Sequence, residues 1–328
     1  MIFLSEENQK KLIDMTEILD RTEYALKNYS EGNVLNPTRM SLPFYGENNT
    51  LLVMPSILSE NNQSGHVGIK VVTTAPGNAE LNKKMINGLV MLADYQTGEP
   101  LCLLDAGYLT KIRTGAISAV ATKYLSNQSS NSIGIIGTGE QAYGLLEAIN
   151  HVRNLKKLYL FNRSKDRAEK FKDFVLKNYE LTVEVVDSPE AVINKSDILV
   201  TTTNSTQPVF SGPLKKGMHV NAVGSFRPTM QELPTSIFKD VDKLVVESKH
   251  DALEETGDLI TPLNEGIINE NSIYNELGKL IGEQDNYRDN ESEITLFKSV
   301  GLGVVDVIIA DYFYRKAVEN NKGSHIKF

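Results

Sequence analysis

The chain has 328 residues, long enough for two domains with separate cores, and a formal charge of −8 from 34 basic and 42 acidic side chains. No run of Lys or Arg stands out, which excludes nucleic acid as the main partner and a basic membrane-binding face. Cys102 is the only cysteine, so there is no disulfide framework or cysteine-based zinc site, and no apolar run approaches the roughly 18 residues of a membrane helix.

The chain opens on the short apolar run Met1–Leu4 followed by acidic residues, without the basic region and long apolar core of a signal peptide, so a cytoplasmic protein is expected. Apolar spacing predicts a helix over Ser5–Asn28, ended by the loop Asn36-Pro37-Thr38-Arg39. Strand-like runs follow at Thr50–Met54, Val67–Thr73, Gly88–Asp94 and Pro100–Leu104, separated by turn formers such as Ala75-Pro76-Gly77-Asn78. They predict a mixed antiparallel domain. A helix from about Tyr108 to Leu125 leads to a polar hinge, Ser126–Ser130.

From Ser132 the pattern alternates between strand and helix. Strands are predicted at Ile133–Ile136, Lys157–Phe161, Thr182–Val186, Ile198–Thr202, His219–Val223 and Lys243–Glu247. Such alternation predicts an α/β fold with a doubly wound parallel sheet. Past Asp251 the chain reads as helical and acidic, with a polar loop at Gln284–Glu293 and a last helix from Val304 to about Glu319. That helix is expected to return to the first domain. The division is then 1–125 plus 303–328 for a mixed α+β domain, with a Rossmann-type domain, 126–302, inserted in it.

Gly137-Thr138-Gly139-Glu140-Gln141-Ala142 is a G-x-G-x-x-A fingerprint set between a strand and a helix. The first glycine makes the tight turn, the second lets a pyrophosphate approach the backbone, and the small third residue packs helix on strand. Free N–H groups at the helix start complete a dinucleotide site. In NAD-selective sites a carboxylate roughly 20 residues further on takes the ribose 2′-OH. Here the second strand ends Phe161-Asn162-Arg163-Ser164, with no carboxylate to repel a 2′-phosphate and an arginine to bind it. Asn162 and Arg163 therefore point to NADP(H), with NAD(H) also admitted.

Three cations sit oddly for an acidic protein. Lys70 lies inside the apolar strand Gly68–Val72, Arg113 begins the helical run Ile112–Ala116, and Arg39 follows a proline turn. Isolated cations in apolar segments suggest capture of a carboxylate, with arginine as a planar fork and lysine as a point charge. Spacing alone does not bring the three together. Asp306 has two readings, a group that helps at the site and a helix-surface carboxylate, of which the second is preferred; the five histidines show no metal-ligand spacing, so no metal is expected.

Arg39, Met54-Pro55, Gly68–Val72, Arg113–Ala116, Gly137–Ala142 and the stretch Thr295–Gly303 fall in an order that resembles the ornithine cyclodeaminase/mu-crystallin family. The resemblance covers almost the whole chain. It implies a homodimer whose N-terminal domain binds substrate and pairs subunits, with Arg39, Lys70 and Arg113 around the substrate's carboxylate and Lys70 as the catalytic candidate. It also implies that Thr114, Gln141 and the Thr201-Thr202-Thr203 and Val223-Gly224-Ser225 turns line the cofactor site with the glycine motif.

The sequence departs from the cyclodeaminases at two places. Leu52 and Phe226 stand where they carry a glutamate and an aspartate. Deamination needs a base, whereas reduction of a cyclic imine needs mainly positioning, because the nitrogen enters already protonated. The Gly224-Ser225-Phe226-Arg227-Pro228 form resembles that of bacterial members that reduce Δ1-pyrroline-2-carboxylate, so a small cyclic imino acid is the expected substrate. Two alternatives remain: a cyclodeaminase or amino-acid dehydrogenase, and a non-catalytic NADPH-holding protein like mu-crystallin. Lys70 serves either as proton or hydrogen-bond donor or as a fixed charge.

Overall fold

The structure, a computed structural model, describes residues 1–327 apart from 46–48, 62, 80, 82, 284 and 285; the first two residues of the expected loop Gln284–Glu293 thus lie outside the described residues. Strand β1 (Ile2–Leu4) leads into α1 (Glu6–Leu12), opened by a capping box between Ser5 and Asn8. The single helix expected over Ser5–Asn28 is divided: the chain leaves helical geometry at Ile13 and restarts as α2 (Met15–Ser30), with Asp14 accepting from the Thr16 and Glu17 amides. The break is fixed from near the other end of the chain. The Tyr312 hydroxyl donates to the Leu12 carbonyl at 2.8 Å and accepts from the Asp14 amide at 2.9 Å.

The chain continues through β2 (Val34–Leu35), β3 (Met40–Phe44), β4 (Asn49–Asn61), β5 (Ser64–Thr74), β6 (Ile86–Ala93), β7 (Pro100–Asp105) and α3 (Ala106–Leu125). Next come β8 (Ser132–Ile136), α4 (Glu140–Val152), β9 (Lys157–Phe161), α5 (Lys165–Asn178), β10 (Thr182–Val185), α6 (Pro189–Lys195), β11 (Ile198–Thr201) and β12 (His219–Ala222). The remainder is β13 (Lys243–Val246), α7 (Lys249–Glu255), α8 (Gly257–Asn264), β14 (Ile273–Glu276), α9 (Leu277–Leu280), β15 (Thr295–Lys298), α10 (Gly303–Glu319) and β16 (Ser324–His325). These elements form two compact units, Met1–Arg113 with Leu302–Phe328, and Thr114–Gly301. Among the described residues no helix is long and apolar enough to cross a membrane.

In the first unit one sheet runs in the order β16-β1-β7-β6-β5-β4-β2, with β3 also on β4, and all pairs are antiparallel except β1–β7. Strands β4 and β5 alternate strictly, so Leu52, Met54 and Leu58 share a buried face with His66, Gly68, Lys70 and Val72. Helix α10 packs on that face and against α2. Gly68 permits the close approach: a β-carbon there would lie 2.9 Å from the Val307 side chain and 2.8 Å from the Met91 carbonyl.

The second unit holds a sheet in the order β10-β9-β8-β11-β12-β15-β13-β14, every pair parallel. Strands β8, β11, β12, β13 and β15 are buried throughout, as a sheet covered on both faces requires. The region past Asp251, expected to be helical, also supplies β14 and β15, and β15 lies between β12 and β13. Four residues are too few to show a period, and the last of them is a lysine. In the structure Lys298 is fully buried because its Nζ meets Asp258 at 2.9 Å.

His219 on β12 is also fully buried, and its Nδ1 lies 2.9 Å from the Thr295 hydroxyl. Burial, reinforced by the Arg288 and Arg153 charges, lowers its pKa to about 3. The unfolded chain therefore binds a proton here that the native state refuses, and stability contributed by the neutral ring is lost as pH falls below the ordinary histidine value. Comparing the wild type with His219→Asn by denaturant unfolding, we expect the free-energy difference to move in the variant's favour by about 1.4 kcal/mol per unit between roughly pH 6 and pH 4. Parallel pH curves for the two proteins would show that the ring takes up its proton in the native state.

Candidate functional site

In the first unit the chain fold gathers the three odd cations and adds a fourth group. Lys70 on β5 is 1 % exposed and donates to Asp306 Oδ2 at 2.5 Å. Arg113 on α3, 8 % exposed, places Nε 3.3 Å from Asp306 Oδ1. Arg39, just before β3, is close enough for its charge to act on Lys70. Burial and then the Arg113 charge lower the Lys70 pKa to about 7, while Asp306 pulls the other way and Arg39 adds to the lowering.

Asp306 corrects the sequence reading. It is not a helix-surface carboxylate but is 0 % exposed, because the first two turns of α10, Gly303–Ala310, are buried on every side. No apolar stripe marks such a helix, so periodicity gives no sign of which face meets the sheet. The signal that was available is an aspartate inside the apolar run Val304-Val305-Asp306-Val307-Ile308, parallel to the signal used for Lys70. Leu52 and Met54 sit on the same sheet face as Lys70, with Met54 directly opposite Lys70 and Leu52 opposite Val72. An ionic cluster with an apolar wall results, suited to a small ring bearing a carboxylate.

In the second unit β8 and β11 are neighbours, although the chain travels out to β9 and β10 before returning, so the topological switch point lies between them. Ligands of such sheets bind at the carboxyl ends of the strands at that point. Gly137 has φ +99°, and a β-carbon on it would meet the Thr202 carbonyl at 2.5 Å and the Thr203 methyl at 2.8 Å. Gly139, in contrast, faces nothing within 4 Å. It caps the 13-residue helix α4 without any side-chain hydrogen bond. Open space beside a helix N-terminus that no side chain caps is what a pyrophosphate requires, so these residues fit a dinucleotide. Ala142 is fully buried on α4 and half-buried Gln141 precedes it, while Thr138 donates its amide to Asn162 Oδ1 at 3.2 Å.

Asn162, at the end of β9, also donates to the Ser164 carbonyl at 2.9 Å, so it braces the glycine loop against the β9–α5 turn. Arg163 beside it is exposed. Thr201 ends β11 and Thr202 and Thr203 follow it, while Val223, Gly224 and Ser225 follow β12, the adjacent strand. Thr114 is buried on α3 beside Gly115, which lies against the Gly144 backbone of α4.

A group that sequence reasoning missed holds these loops. The fully buried Glu232 accepts from the Thr203 amide at 2.6 Å, the Gly224 amide at 2.7 Å and the Thr201 hydroxyl at 3.0 Å. Burial first, and then the nearby Asp258, raise its pKa. Asp258 in turn accepts from the Glu232 and Leu233 amides at 2.6 and 2.9 Å, and Lys298 donates to the Ser225 carbonyl at 2.7 Å. Glu232 sits eight residues past Gly224, where its sequence signal is only that of a polar loop. Phe226 is half-buried, and the Arg227 guanidinium lies over its ring at 5.2 Å.

Three likenesses bear on this arrangement. The chain is 48% identical over 328 residues to a Bacillus cereus Δ1-pyrroline-2-carboxylate reductase, covering 100% of both chains. A Thermococcus litoralis Δ1-pyrroline-2-carboxylate reductase, solved in complex with NADH and L-proline, matches it with a TM-score of 0.94 at 36% identity, over 99% of this chain and 100% of that one. An archaeal alanine dehydrogenase dimer with bound NAD matches with a TM-score of 0.91 at 33% identity, over 100% of this chain and 99% of that one. The family model of the ornithine cyclodeaminase/mu-crystallin family matches residues 1–321, and the chain belongs to that family.

Proposed function

We infer that this chain is an NAD(P)H-dependent reductase of a cyclic imine carboxylate, converting Δ1-pyrroline-2-carboxylate to L-proline, with the six-membered Δ1-piperideine-2-carboxylate as a further substrate giving L-pipecolate. The observation that carries the reading is the buried Arg113–Lys70–Asp306 cluster beside Leu52, Met54 and Val72. The Bacillus and Thermococcus relatives, which carry the name of this activity, support it. Arg39 and Arg113 supply planar forks for the substrate carboxylate and Lys70 a third positive charge, so that binding energy is spent on orienting the ring. Leu52 and Phe226 leave the cyclodeaminase positions without a proton acceptor. A bound reduced nicotinamide dinucleotide supplies hydride.

Arg113→Ala and Lys70→Ala are each expected to lower kcat/KM by at least about tenfold, roughly 1.4 kcal/mol of transition-state stabilisation, with folded structure verified by circular dichroism. The same purified protein given L-ornithine and NAD should release no ammonia. Ornithine-dependent ammonia with no cofactor oxidation on the imine overturns the assignment.

For the cofactor, the reading is NADP(H) preferred and NAD(H) accepted. It rests on exposed Arg163 at the entry to α5 and on the lack of a carboxylate at the end of β9. Asn162→Asp keeps the acceptor for the Thr138 amide but adds a charge that repels a 2′-phosphate, and Arg163→Ala removes its charge-assisted partner. Both variants should lower the NADPH-to-NADH ratio of kcat/KM. An unchanged ratio in both, or a wild type that already prefers NADH, removes this turn from cofactor choice.

We also take the protein to be a homodimer paired through the open face of the first unit's sheet. Met40, Val53, Val71 and Leu89 stand in one cross-strand row, and Met40, Val71 and Leu89 are 56%, 37% and 42% exposed. An apolar row of this kind is a site of association. The alanine dehydrogenase relative was solved as a dimer. Sedimentation velocity should give a dimer for the wild type and a monomer for the double variant Val71→Asp, Leu89→Asp; equal sedimentation of the two moves the interface elsewhere.

A further inference from the structure

Lys70 and Arg113 share one buried carboxylate but not in the same way. Lys70 makes a hydrogen bond to Asp306 Oδ2 at 2.5 Å. Arg113 Nε faces Asp306 Oδ1 at 3.3 Å, yet both of those atoms are buried without a hydrogen-bond partner among the described residues. The lysine is therefore committed to Asp306, and the arginine is aligned with it only as a charge. A four-carbon lysine stem is flexible, so an unpinned ammonium would follow the strongest anion in the site, which is the substrate's carboxylate. Asp306, fixed on the buried first turn of α10, prevents that.

We propose that Asp306 is a positioning residue that reserves Lys70 as the proton donor to the ring nitrogen, while the arginines hold the substrate carboxylate. This deepens the reductase reading and rests on it. Hydride from a reduced nicotinamide dinucleotide forms the bond to the carbon of the protonated imine, the C=N π electrons pass to nitrogen to give the amine, and the Lys70 Nζ proton converts that amine to the ammonium of the product. Lys70 is left neutral and regains its proton from water when product leaves.

The electrostatics suit a group that must both hold and release a proton. Lys70 is faced by Asp306 from α10, Arg113 from α3 and Arg39 from the segment before β3, and its cross-strand neighbours are the uncharged Met54 and Val90. Burial and the two arginines make the proton easy to lose, and Asp306 keeps it in place until it is needed. With all four groups charged the cluster carries a net +2. The substrate's carboxylate reduces this to +1, and transfer of the proton brings the cluster and carboxylate together to neutrality.

The test compares Asp306→Asn, Lys70→Arg and Arg113→Ala with the wild type, using binding of L-proline by calorimetry and the pH dependence of kcat/KM on the imine. Asp306→Asn is close in shape and removes only the charge. It should bind L-proline within about threefold of the wild type and lower kcat at least about tenfold. Its alkaline limb should move to lower pH, because the group that keeps Lys70 protonated is gone. A limb set by the substrate's own protonation stays where it was. Lys70→Arg, whose guanidinium keeps its proton, should also bind L-proline while losing turnover, and it serves as the test if Asp306→Asn does not fold. Arg113→Ala should lose L-proline binding. Normal turnover in Lys70→Arg, an unmoved limb in Asp306→Asn, or loss of L-proline binding in Asp306→Asn equal to that in Arg113→Ala overturns the proposal. Failure of the wild type to reduce the imine would instead sink the reductase reading beneath it.

Discussion

A carboxylate with no exposure, placed between a lysine and an arginine, constrains the first unit more than any other contact. Each of these charges alone would cost several kcal/mol to bury, and only mutual compensation makes their burial tolerable. The pair Lys70–Asp306 spans 236 residues of sequence, so it forms only when α10 returns to the sheet that β5 belongs to. Gly68, one turn of the strand pleat from Lys70, removes the side chain that would hold α10 away. Packing and charge therefore fix the same helix in the same place, and the site's chemistry depends on that agreement.

The second unit solves a different problem, that of holding loops which must stay open to a ligand. Backbone amides at the ends of β11 and β12 have lost their ladder partners, and Glu232 accepts from one at each end. Its own backbone is fixed by Asp258, whose charge is answered by Lys298. The network ties the turns after β11 and β12 to α8 and β15. In this arrangement the N-terminus of α4 at Gly139 carries no side-chain cap, while the neighbouring turns are held by Glu232. Preorganisation of this type is what allows a dinucleotide to bind without the loops being ordered at the moment of binding.

Acidic and basic groups inside this chain are thus used in pairs or networks whose members lie far apart in sequence. That explains why Lys298 and Asp306 both interrupt apolar runs, and why neither weakens the element that carries it. It also explains the division of labour among cations in the first unit, where burial makes Lys70 prone to lose its proton and Asp306 holds that proton by a hydrogen bond, while Arg113 faces the same carboxylate from its other oxygen.

Local rules determined much of the molecule. Period-2 and period-3.6 patterns, turn residues and the G-x-G-x-x-A run were enough to read the parallel sheet from β8 to β13, the glycine loop and the presence of three cations in apolar surroundings. These features are encoded within windows of a dozen residues, where backbone geometry and side-chain spacing decide the outcome. What tertiary structure alone decided is everything set by a distant partner. The break at Ile13 is held by Tyr312, β15 enters the middle of a sheet despite its lysine, Glu232 becomes a clamp, and Asp306 turns inward. Each depends on the desolvation of a polar group being offset by another group hundreds or tens of residues away, and no local pattern contains the identity of that partner.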